Sequence, residues 1–408
     1  MMKISEMPKY EVYKDSGVEW LGDIPASWSL LANKHIFRLK KKQVGKRSSE
    51  YDLLSLTLRG VIKRDMENPE GKFPAEFDTY QEVQCGDFIF CLFDVEETPR
   101  TVGLSPFNGM ITGAYTVFEL NDNFDNRFLY YFYMNLDAKK MLKPLYRGLR
   151  NTIPKDSFLS FKTFVPPHEQ QTRIANFLDK KIALIDEAIS IKEKQINLLK
   201  EHKQIIIQQA VTQGLDPNVP MKDSGVDWIG DIPEHWEVVP LKRLAVLSPS
   251  VKVSNRKSKE LVTFLAMEKV STDGFIDQDT LMPICDVSQG FTVFNRGDVI
   301  VAKITPCFEN GKSAWLNNLQ TEFGYGSTEF HVLRCGQRII GSFLYLIVSS
   351  PLFLNAGEAM MTGSAGQKRV PSSFIQNFPT AIPGVAEQEK IVSKVKELFS
   401  QIDVVVAS

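Results

Sequence analysis

The segment KDSGVEWLGDIP, at residues 14–25, occurs a second time as KDSGVDWIGDIP at residues 222–233, with ten of its twelve residues identical. A second tryptophan follows each copy at the same distance. Four tryptophans therefore fall into matched pairs: Trp20 with Trp228, and Trp28 with Trp236. An internal repeat of this kind predicts two similar folded units in one chain.

Further segments match between the two halves. CGDFIFCLFD at residues 85–94 corresponds to RGDVIVAKIT at residues 296–305. Each is a Gly-Asp turn followed by a β-branched and aromatic run, which predicts a strand. RNTIPKDSFLSFKTFVPPHEQQTRI at residues 150–174 corresponds to QKRVPSSFIQNFPTAIPGVAEQEKI at residues 367–391. Each ends on a proline, a Glu-Gln pair and a charged periodic segment, so we predict a globular unit followed by a helix in each half.

Apolar residues recur at spacings of three and four in both helical segments, residues 166–213 and 385–408. This pattern is typical of helices that pack along a seam. We predict an antiparallel coiled-coil-like spacer that holds the two units at a fixed distance with a pseudo-two-fold relation, which suits a DNA duplex better than a small-molecule site. The predicted seam residues are Leu178, Ile182, Ile185, Ile189, Ile196, Leu199, Ile206, Ile391, Val395, Leu398, Ile402 and Val405.

The composition of the 408 residues, 43% apolar and 24% charged, predicts a soluble chain with two or three packed cores. We expect a cytoplasmic protein without membrane contact, because no apolar run approaches the roughly 20 residues of a membrane span and the first residues lack the apolar stretch of a signal peptide. The five cysteines show no C-x-x-C spacing and are expected to be buried thiols. A net charge of −1 means that any nucleic-acid binding must come from local patches.

Motifs for chemistry are absent from the sequence. It contains neither the Asn/Asp-Pro-Pro-Tyr segment of adenine methyltransferases nor a G-x-x-x-x-G-K-[ST] phosphate loop, and its five histidines are scattered. The acidic residues Glu96, Glu97, Asp286 and Asp298 are conceivable metal ligands, but turn caps and solvated loops explain them better. The sequence therefore predicts neither a catalytic site nor a metal site.

Basic clusters follow the second tryptophan of each half, at residues 38–47 (RLKKKQVGKR) and 252–259 (KVSNRKSK). A basic cluster is often only a solvated face, but its recurrence at matched positions favours contact with phosphates. A second matched pair, YRGLRN at residues 146–151 and GSAGQKR at residues 363–369, offers Arg, Lys, Asn and Gln for the edges of guanine and adenine. Turns that merely expose charges remain the alternative for this pair.

The candidate DNA-binding residues combine these segments with isolated cations between them. We assign the paired tryptophans to core packing instead, because they lie in the shared part of the repeat. The candidates are Lys41, Lys42, Lys46, Arg47, Arg59, Lys63, Arg147, Arg150, Asn151, Lys252, Arg256, Lys257, Lys303, Lys312, Gln367, Lys368 and Arg369.

The organisation resembles the specificity (S) subunit of type I restriction–modification systems over essentially the whole sequence. The resemblance rests on the duplicated Ser-Gly-Val-acidic-Trp-x-Gly-Asp-Ile-Pro-x-x-Trp segments, the Gly-Asp strands, GSTEFHVLR at residues 326–334, and the helices that open with Glu-Gln. It implies an α+β fold with two target-recognition domains, residues 1–165 and 214–384, each reading one half of a bipartite, asymmetric double-stranded DNA site. The sequence departs from the family pattern in its second helix, which is much shorter than the first and leaves the spacer length open.

The resemblance also implies that this chain is not an enzyme and binds no cofactor itself. Two modification subunits, adenine methyltransferases that use S-adenosylmethionine, are expected to dock on the helices, and restriction subunits, which use ATP and Mg to translocate and cleave DNA, are expected in the larger assembly. Two alternatives stay open: a duplicated protein-interaction scaffold, and an enzyme with unrecognised motifs. Steep salt-dependent DNA binding by the complex would exclude the scaffold, whereas methyl transfer or cleavage by the isolated chain would reveal the enzyme.

Overall fold

The computed structural model describes residues 9–17, 22–66, 76–251, 256–364 and 366–407. The chain forms two compact units, residues 1–189 and 190–408, whose boundary lies within one long helix. The first unit contains β1 (Tyr13–Asp15), β2 (Asp23–Pro25), β3 (Ser29–Ala32), β4 (Phe37–Lys40), β5 (Leu54–Thr57), β6 (Gly60–Lys63), β7 (Gln81–Val83), β8 (Phe88–Phe90), β9 (Val102–Leu104), β10 (Gly109–Ile111), β11 (Thr116–Leu120), α1 (Asn126–Ala138), α2 (Lys155–Ser160), β12 (Lys162–Val165) and the beginning of α3 (His168–Thr212).

The second unit begins within α3 and ends with a second long helix, α8. Its elements are β13 (Met221–Asp223), β14 (Asp231–Pro233), β15 (Glu237–Pro240), β16 (Ala245–Leu247), β17 (Leu261–Leu265), β18 (Leu281–Pro283), α4 (Ile284–Val287), β19 (Thr292–Asn295), β20 (Val299–Ala302), β21 (Ser313–Trp315), β22 (Phe323–Gly326), β23 (Phe330–Cys335), α5 (Gly341–Val348), α6 (Pro351–Ala359), α7 (Ser372–Asn377), β24 (Pro379–Ile382) and α8 (Val385–Ala407).

The main sheet has the same strand order in both units. It runs β4-β11-β8-β9 in the first and β16-β23-β20-β21 in the second, and all neighbouring strands are antiparallel. A second group also corresponds: β18-β17-β22-β19 forms one sheet in the second unit, while β6-β5 and β10-β7 of the first are joined by a parallel bridge between Leu53 and Met110. The predicted α+β fold is confirmed, and the main sheets of the two units share one strand order.

The repeated twelve residues form a β-hairpin, β1 with β2 and β13 with β14, in the same register. The carboxylate of Asp15 accepts a hydrogen bond from the backbone N–H of Gly17 at 2.9 Å, and Asp223 accepts one from Gly225 at the same distance. Both glycines have left-handed backbone angles, φ +69° and +71°, which side chains other than glycine rarely adopt. The two copies of the repeat therefore share the same Asp–Gly hydrogen bond and the same left-handed glycine. Residues 18–21, with Trp20, lie outside the described part.

The core of the first unit lies between the main sheet and α1. Phe37, Phe90, Phe118 and Phe158 meet there at centroid distances of 4.7–6.0 Å. Asp125 caps the start of α1 by accepting from two backbone N–H groups of the first turn, which stabilises the beginning of the helix. These rings form the centre of the core, with aliphatic side chains such as Ile36 and Leu129 packed around them.

The tryptophans and cysteines follow the sequence prediction only in part. Trp236 is 1% exposed and Trp28 is half-buried, but Trp228 is 41% exposed. Cys91 is buried, whereas Cys85 and Cys285 are exposed, so the expectation of buried thiols was wrong for these two. They lie in turns rather than within strands, Cys85 before β8 and Cys285 in the first turn of α4, and their side chains are left in solvent.

A buried glutamine joins each unit to its long helix. The Gln171 side chain donates to the carbonyl of Pro166 and accepts from the N–H of Asp125, both at 2.9 Å. Gln388 donates to Pro383 at 2.9 Å and accepts from Ile340 at 3.0 Å. Gln171 is therefore the structural equivalent of Gln388. The Glu-Gln pair that the sequence suggests as the match, Glu169-Gln170, lies one residue earlier.

The end of α3 packs antiparallel to α8. Lys203 forms an ion pair with Asp403 near the end of α8. Gly214, just after α3, lies against Trp236, whose Nε1 donates to Glu387 near the start of α8 at 3.0 Å. No helix in the described ranges is long and apolar enough to cross a membrane.

The predicted seam residues separate into three groups along the helices. Ile206, Ile391, Val395 and Ile402 are buried, and Leu178, Ile196, Leu199 and Leu398 are half-buried. Ile182, Ile185 and Ile189 are 41–51% exposed, so the buried seam does not extend to them, and Val405 is 43% exposed. The reason is length, because α8 has 23 residues and α3 has 45.

Candidate nucleic-acid interface

A Gly-Asp turn precedes the central strand of each main sheet and holds a buried carboxylate. Asp87 accepts from the backbone N–H of Gln84 at 2.7 Å, and Asp298 accepts from that of Asn295 at the same distance. The two aspartates are 5% and 2% exposed. Burial raises the pKa of Asp87 even though Lys40 lies 2.8 Å away and opposes the shift. The strand after the turn leads into the segment to which the candidate base-contacting loop of each unit is hydrogen-bonded.

Loop A, residues 147–152, is a tight turn fastened at its base. Arg147 and Thr152 exchange backbone hydrogen bonds of 2.8 and 3.1 Å. The N–H of Asp94 donates to the carbonyl of Arg150 at 2.9 Å, and the N–H of Ile153 donates to that of Leu92 at 2.8 Å. The backbone of loop A is therefore tied to the segment that follows β8.

Loop B, residues 362–369, has the same connections in the second unit, and all but residue 365 are described. Thr362 and Arg369 exchange backbone hydrogen bonds of 3.0 and 2.8 Å. The N–H of Thr305 donates to the carbonyl of Lys368 at 3.0 Å, and that of Val370 donates to Lys303 at 2.8 Å. The two loops occupy equivalent places in the two units.

One arginine in each loop is held by a carboxylate of its own unit. The guanidinium of Arg150 grips Asp94 through two hydrogen bonds, and that of Arg369 grips Glu329 at 2.8 and 3.0 Å. These arginines lower the pKa of Asp94 and of Glu329, so both carboxylates are charged at neutral pH. The two predicted base-reading arginines therefore brace their loops in this structure.

The other candidate residues of the two loops have no ion pair with a described carboxylate. Arg147 donates only to backbone carbonyls, at 2.9 Å to that of Tyr146, and within the described ranges it has no carboxylate at ion-pair distance. Gln367 and Lys368 are exposed, while Asn151 is half-buried and donates to Glu97 at 3.3 Å. Loops A and B thus present a mixed set of free and braced polar groups.

The first basic cluster is less uniform than its sequence suggests. Lys40 is buried against Asp87, and Arg38 pairs with Glu119, so two of its six cations serve the main sheet. Lys42 pairs with Glu82 at 2.9 Å. The exposed cations without an ion pair to described residues are Lys41, Lys46 and Arg47.

The second basic cluster is described only from residue 256, so Lys252 lies outside the described residues. Arg256 forms ion pairs with Glu260 and Glu322 and lies 5.6 Å from the ring of Phe323. Lys257 is exposed. The structure therefore leaves Lys257 as the open cation among the described candidates of this cluster.

The isolated candidates also differ. Lys63 pairs with Asp52 at 2.6 Å, and Arg59 is exposed in the turn between β5 and β6. Lys303 is half-buried, and Lys312 is half-buried and donates to the carbonyl of Met267 at 3.0 Å. Lys312 is thus tied to the protein backbone, because its ammonium already has an internal acceptor.

Sequence reasoning missed two residues that shape this surface. The Arg100 guanidinium donates to the carbonyl of Leu58 at 3.0 Å and supports the turn that carries Arg59. Leu149, at the tip of loop A, is 104% exposed. The proximity of Arg100 to the turn has no local sequence signal, whereas a leucine between glycine and arginine in YRGLRN was visible. No group of three or more potential metal-ligating side chains occurs among the residues described.

The comparisons with known proteins find similarity to type I specificity subunits. Residues 102–201 match the family model of the type I restriction modification DNA specificity domain. The chain is 42% identical over 176 residues to the type I restriction enzyme EcoAI specificity subunit of Escherichia coli, and 39% identical to the EcoEI specificity subunit of the same organism. Each alignment covers 42% of this chain and 29% of the relative. The MjaVIII specificity subunit of Methanocaldococcus jannaschii is 23% identical over 286 residues, 68% of this chain and 64% of that relative.

Two solved structures share the fold over nearly the whole chain. One comes from work on complex assembly and conformational transition of the type I R-M system, with a TM-score of 0.64, 13% identity and coverage of 94% and 93% of the two chains. The other is the HsdS subunit of Thermoanaerobacter tengcongensis, with a TM-score of 0.52, 14% identity and coverage of 93% and 91%. The resemblance to type I specificity subunits is therefore confirmed.

Proposed function

We propose that this chain is the DNA-sequence specificity subunit of a type I restriction–modification complex and that each of its units reads one half of a bipartite, asymmetric double-stranded site. The observation that carries the proposal is the match of residues 102–201, which include loop A, to a DNA specificity domain. The second unit repeats the strand order and the anchoring of that loop. One reading surface on each unit follows from this duplication.

Phosphate contact is assigned to those candidate residues that are exposed cations without an ion pair to a described carboxylate. They are Lys41, Lys46, Arg47, Arg59 and Arg147 in the first unit, and Lys257 and Lys368 in the second. Such contacts position the chain on the duplex, while the side chains of loops A and B contact base edges. Because the net charge of the chain is −1, attraction to DNA comes from these few cations rather than from the chain as a whole. Neutralising some of them should therefore weaken DNA binding measurably.

Docking of the modification subunits is assigned to the first part of α3. Phe177, Ile182, Leu184, Ile185 and Ile189 are 41–51% exposed on this helix. An apolar surface of this extent is typical of a protein-binding site. The adenine methyltransferase subunits then carry S-adenosylmethionine, and the restriction subunits carry ATP and Mg, while this chain supplies placement only.

The first experiment is a genome-wide map of methylated adenines in a host that expresses the methyltransferase subunits with and without this chain. We expect a gapped, two-part motif that disappears without the chain. Exchange of residues 14–165 for the corresponding domain of a relative should then change one half of the motif. A change in both halves would contradict independent reading, and an unchanged map would favour a scaffold.

A second experiment measures the salt dependence of DNA binding by the assembled complex. Each lost phosphate contact reduces the slope of log K against log salt by about 0.9. We expect Lys46→Gln with Arg47→Gln, and separately Lys368→Gln, to weaken binding and reduce this slope. Lys394→Gln on α8 is the matched control, since it removes an exposed lysine from outside the candidate loops. Equal slopes in all variants would contradict the assignment.

A further inference from the structure

Loop A carries an apolar residue at the point where it extends furthest. Leu149 is 104% exposed, so its side chain contacts essentially nothing in its own unit. Gly148, immediately before it, has φ +69°, and Asn151, two residues later, has φ +43°. Left-handed backbone is uncommon for a residue other than glycine, and asparagine tolerates it best. This pair of left-handed residues turns the chain sharply on both sides of the leucine.

The base of the loop fixes the position of that tip. Four backbone hydrogen bonds of 2.8–3.1 Å tie residues 147, 150, 152 and 153 to one another and to the segment after β8. The two-point grip of Arg150 on Asp94 and the bond from Asn151 to Glu97 add side-chain anchors. A single exposed leucine is ordinary on a protein surface. Leu149 differs because its turn is fixed by hydrogen bonds, so little conformational entropy is lost when its side chain binds a partner.

The surroundings of the tip favour nucleic acid over a protein groove. Arg147 lies at the base of the loop without a carboxylate partner among the described residues, and its guanidinium is exposed. The equivalent place in the second unit is polar and cationic, with Gln367 and Lys368 exposed. Proteins that deform DNA insert apolar side chains, leucine among them, between adjacent bases while neighbouring cations hold the phosphates.

We propose that Leu149 is a wedge that enters the stack between neighbouring base pairs of the half-site read by the first unit. The inference rests on the proposed function, because it needs that unit to lie on DNA. Loop B has Gly363, Ser364 and Gly366 around its described tip and offers no comparable side chain there. The deformation is therefore confined to one half of the site, and the energy of unstacking contributes to specificity at that step.

The test uses the full chain assembled with its methyltransferase subunits and a duplex that carries the motif found by methylation mapping. 2-Aminopurine, whose fluorescence rises when it is unstacked, replaces one base at a time in each half of the motif. We expect complex formation to raise the fluorescence at one step of the first half-site. Leu149→Ser should abolish this rise, and Leu149→Met, which keeps an apolar side chain of similar size, should retain it.

A matched control is Leu58→Ser, because Leu58 is also an exposed leucine in a turn of the first unit, 65% exposed. It should leave the signal at the Leu149-dependent step intact. Loss of the signal in both serine variants, or an unchanged signal in Leu149→Ser, would overturn the wedge while salt-dependent binding still supports the proposed function. Failure of Leu149→Ser to assemble with the methyltransferase subunits would instead show that the tip contacts protein. Absence of DNA binding by the wild-type complex would refute the proposed function itself.

Discussion

Each unit buries an equivalent aspartate, Asp87 in the first and Asp298 in the second. The cation that pairs with it comes from a different strand in each unit. In the first unit Lys40, on the outer strand β4, pairs with Asp87 at 2.8 Å. In the second unit Arg334, on the inner strand β23, grips Asp298 at 2.7 and 2.8 Å, and Ser248 occupies the position that matches Lys40. The carboxylate is fixed by the Gly-Asp turn, whereas the strand that supplies the cation is free to vary. Within one sheet, the Gly-Asp turn is thus the same in both units, while the residue that pairs with its aspartate differs.

The largest loss of folding stability is expected from breaking the Lys40–Asp87 ion pair in the first unit. Lys40→Leu leaves Asp87 charged and buried, and an uncompensated charge of this kind costs about 3–5 kcal/mol. Arg334→Leu should cost less in the second unit, because the arginine side chain is 30% exposed and its removal opens Asp298, which is 2% exposed in the folded unit, to water. Hydrogen exchange measured by mass spectrometry reports the loss separately for each unit.

The control for Lys40→Leu is the double variant with Asp87→Asn, which removes the charge and keeps the size of the side chain. We expect it to recover part of the lost stability. Equal losses in the single and double variants would show that Lys40 acts through packing rather than charge.

The second comparison concerns the buried glutamines that begin the long helices. Among the described residues, Gln388 makes three hydrogen bonds, to the backbone of Arg338, Ile340 and Pro383, and Gln171 makes two. Each backbone group left unsatisfied in the interior costs about 1–3 kcal/mol. Gln388→Ala should therefore lower the free energy of unfolding more than Gln171→Ala, and chemical denaturation of each variant checks the order. A larger loss in Gln171→Ala would contradict this account.

A smaller difference is expected between the paired tryptophans. Trp236 donates from Nε1 to Glu387, whereas the buried Nε1 of Trp28 has no acceptor among the described residues. Trp236→Phe should cost about 1–2 kcal/mol and Trp28→Phe close to nothing, since the second change loses no hydrogen bond. Thermal unfolding of the two variants measures the difference. A comparable loss in both would point to ring volume as the common cause.

The smallest effect is a pH dependence confined to the second unit. His331 is 5% exposed and lies near Lys303 and Glu329; burial is the main cause that lowers its pKa from 6.5. The unfolded chain therefore binds a proton that the folded unit resists, so stability is full above about pH 6.5 and falls as the pH decreases below it. Hydrogen exchange at pH 7.5 and pH 5.5 should show faster opening of the second unit at the lower pH.

His331→Gln is the matched control for that dependence, because glutamine keeps a donor for the carbonyl of Val370 but does not titrate in this range. The variant should show little difference between the two pH values. Similar pH responses in both units would contradict the assignment to His331.

Much of the fold follows from local patterns in the sequence. The duplicated hairpin, the Gly-Asp turns and the starts of the long helices rely on neighbouring residues: a glycine with left-handed backbone, or a carboxylate that accepts from an N–H two or three residues away. Interactions at this range are encoded in adjacent letters. The extent of the helix seam could not be predicted in this way, because it depends on how much of α3 the shorter α8 covers.

The candidate site shows the same division more sharply. A sequence marks Lys40, Arg150, Arg369 and Lys312 as cations, and nothing in their neighbours distinguishes them from Lys46 or Lys368. Their partners Asp87, Asp94, Glu329 and the carbonyl of Met267 lie 40 to 56 residues away along the chain. Whether a charge faces solvent or a distant carboxylate is settled by strand pairing, which brings together residues that the sequence separates.

The sequence by itself determined that this protein has two similar α+β units, that each precedes a long helix, and that both carry matched basic and glycine-containing loops. These features can be recognised in the sequence because they depend on residues close together in the chain, through turn formation and helical periodicity. Only the tertiary structure decided which cations brace the loops, which of the candidate cations remain exposed, and that Leu149 stands alone at the tip of loop A. The physical reason is that burial and pairing depend on contacts between distant parts of the chain, and these exist only once the sheets are formed.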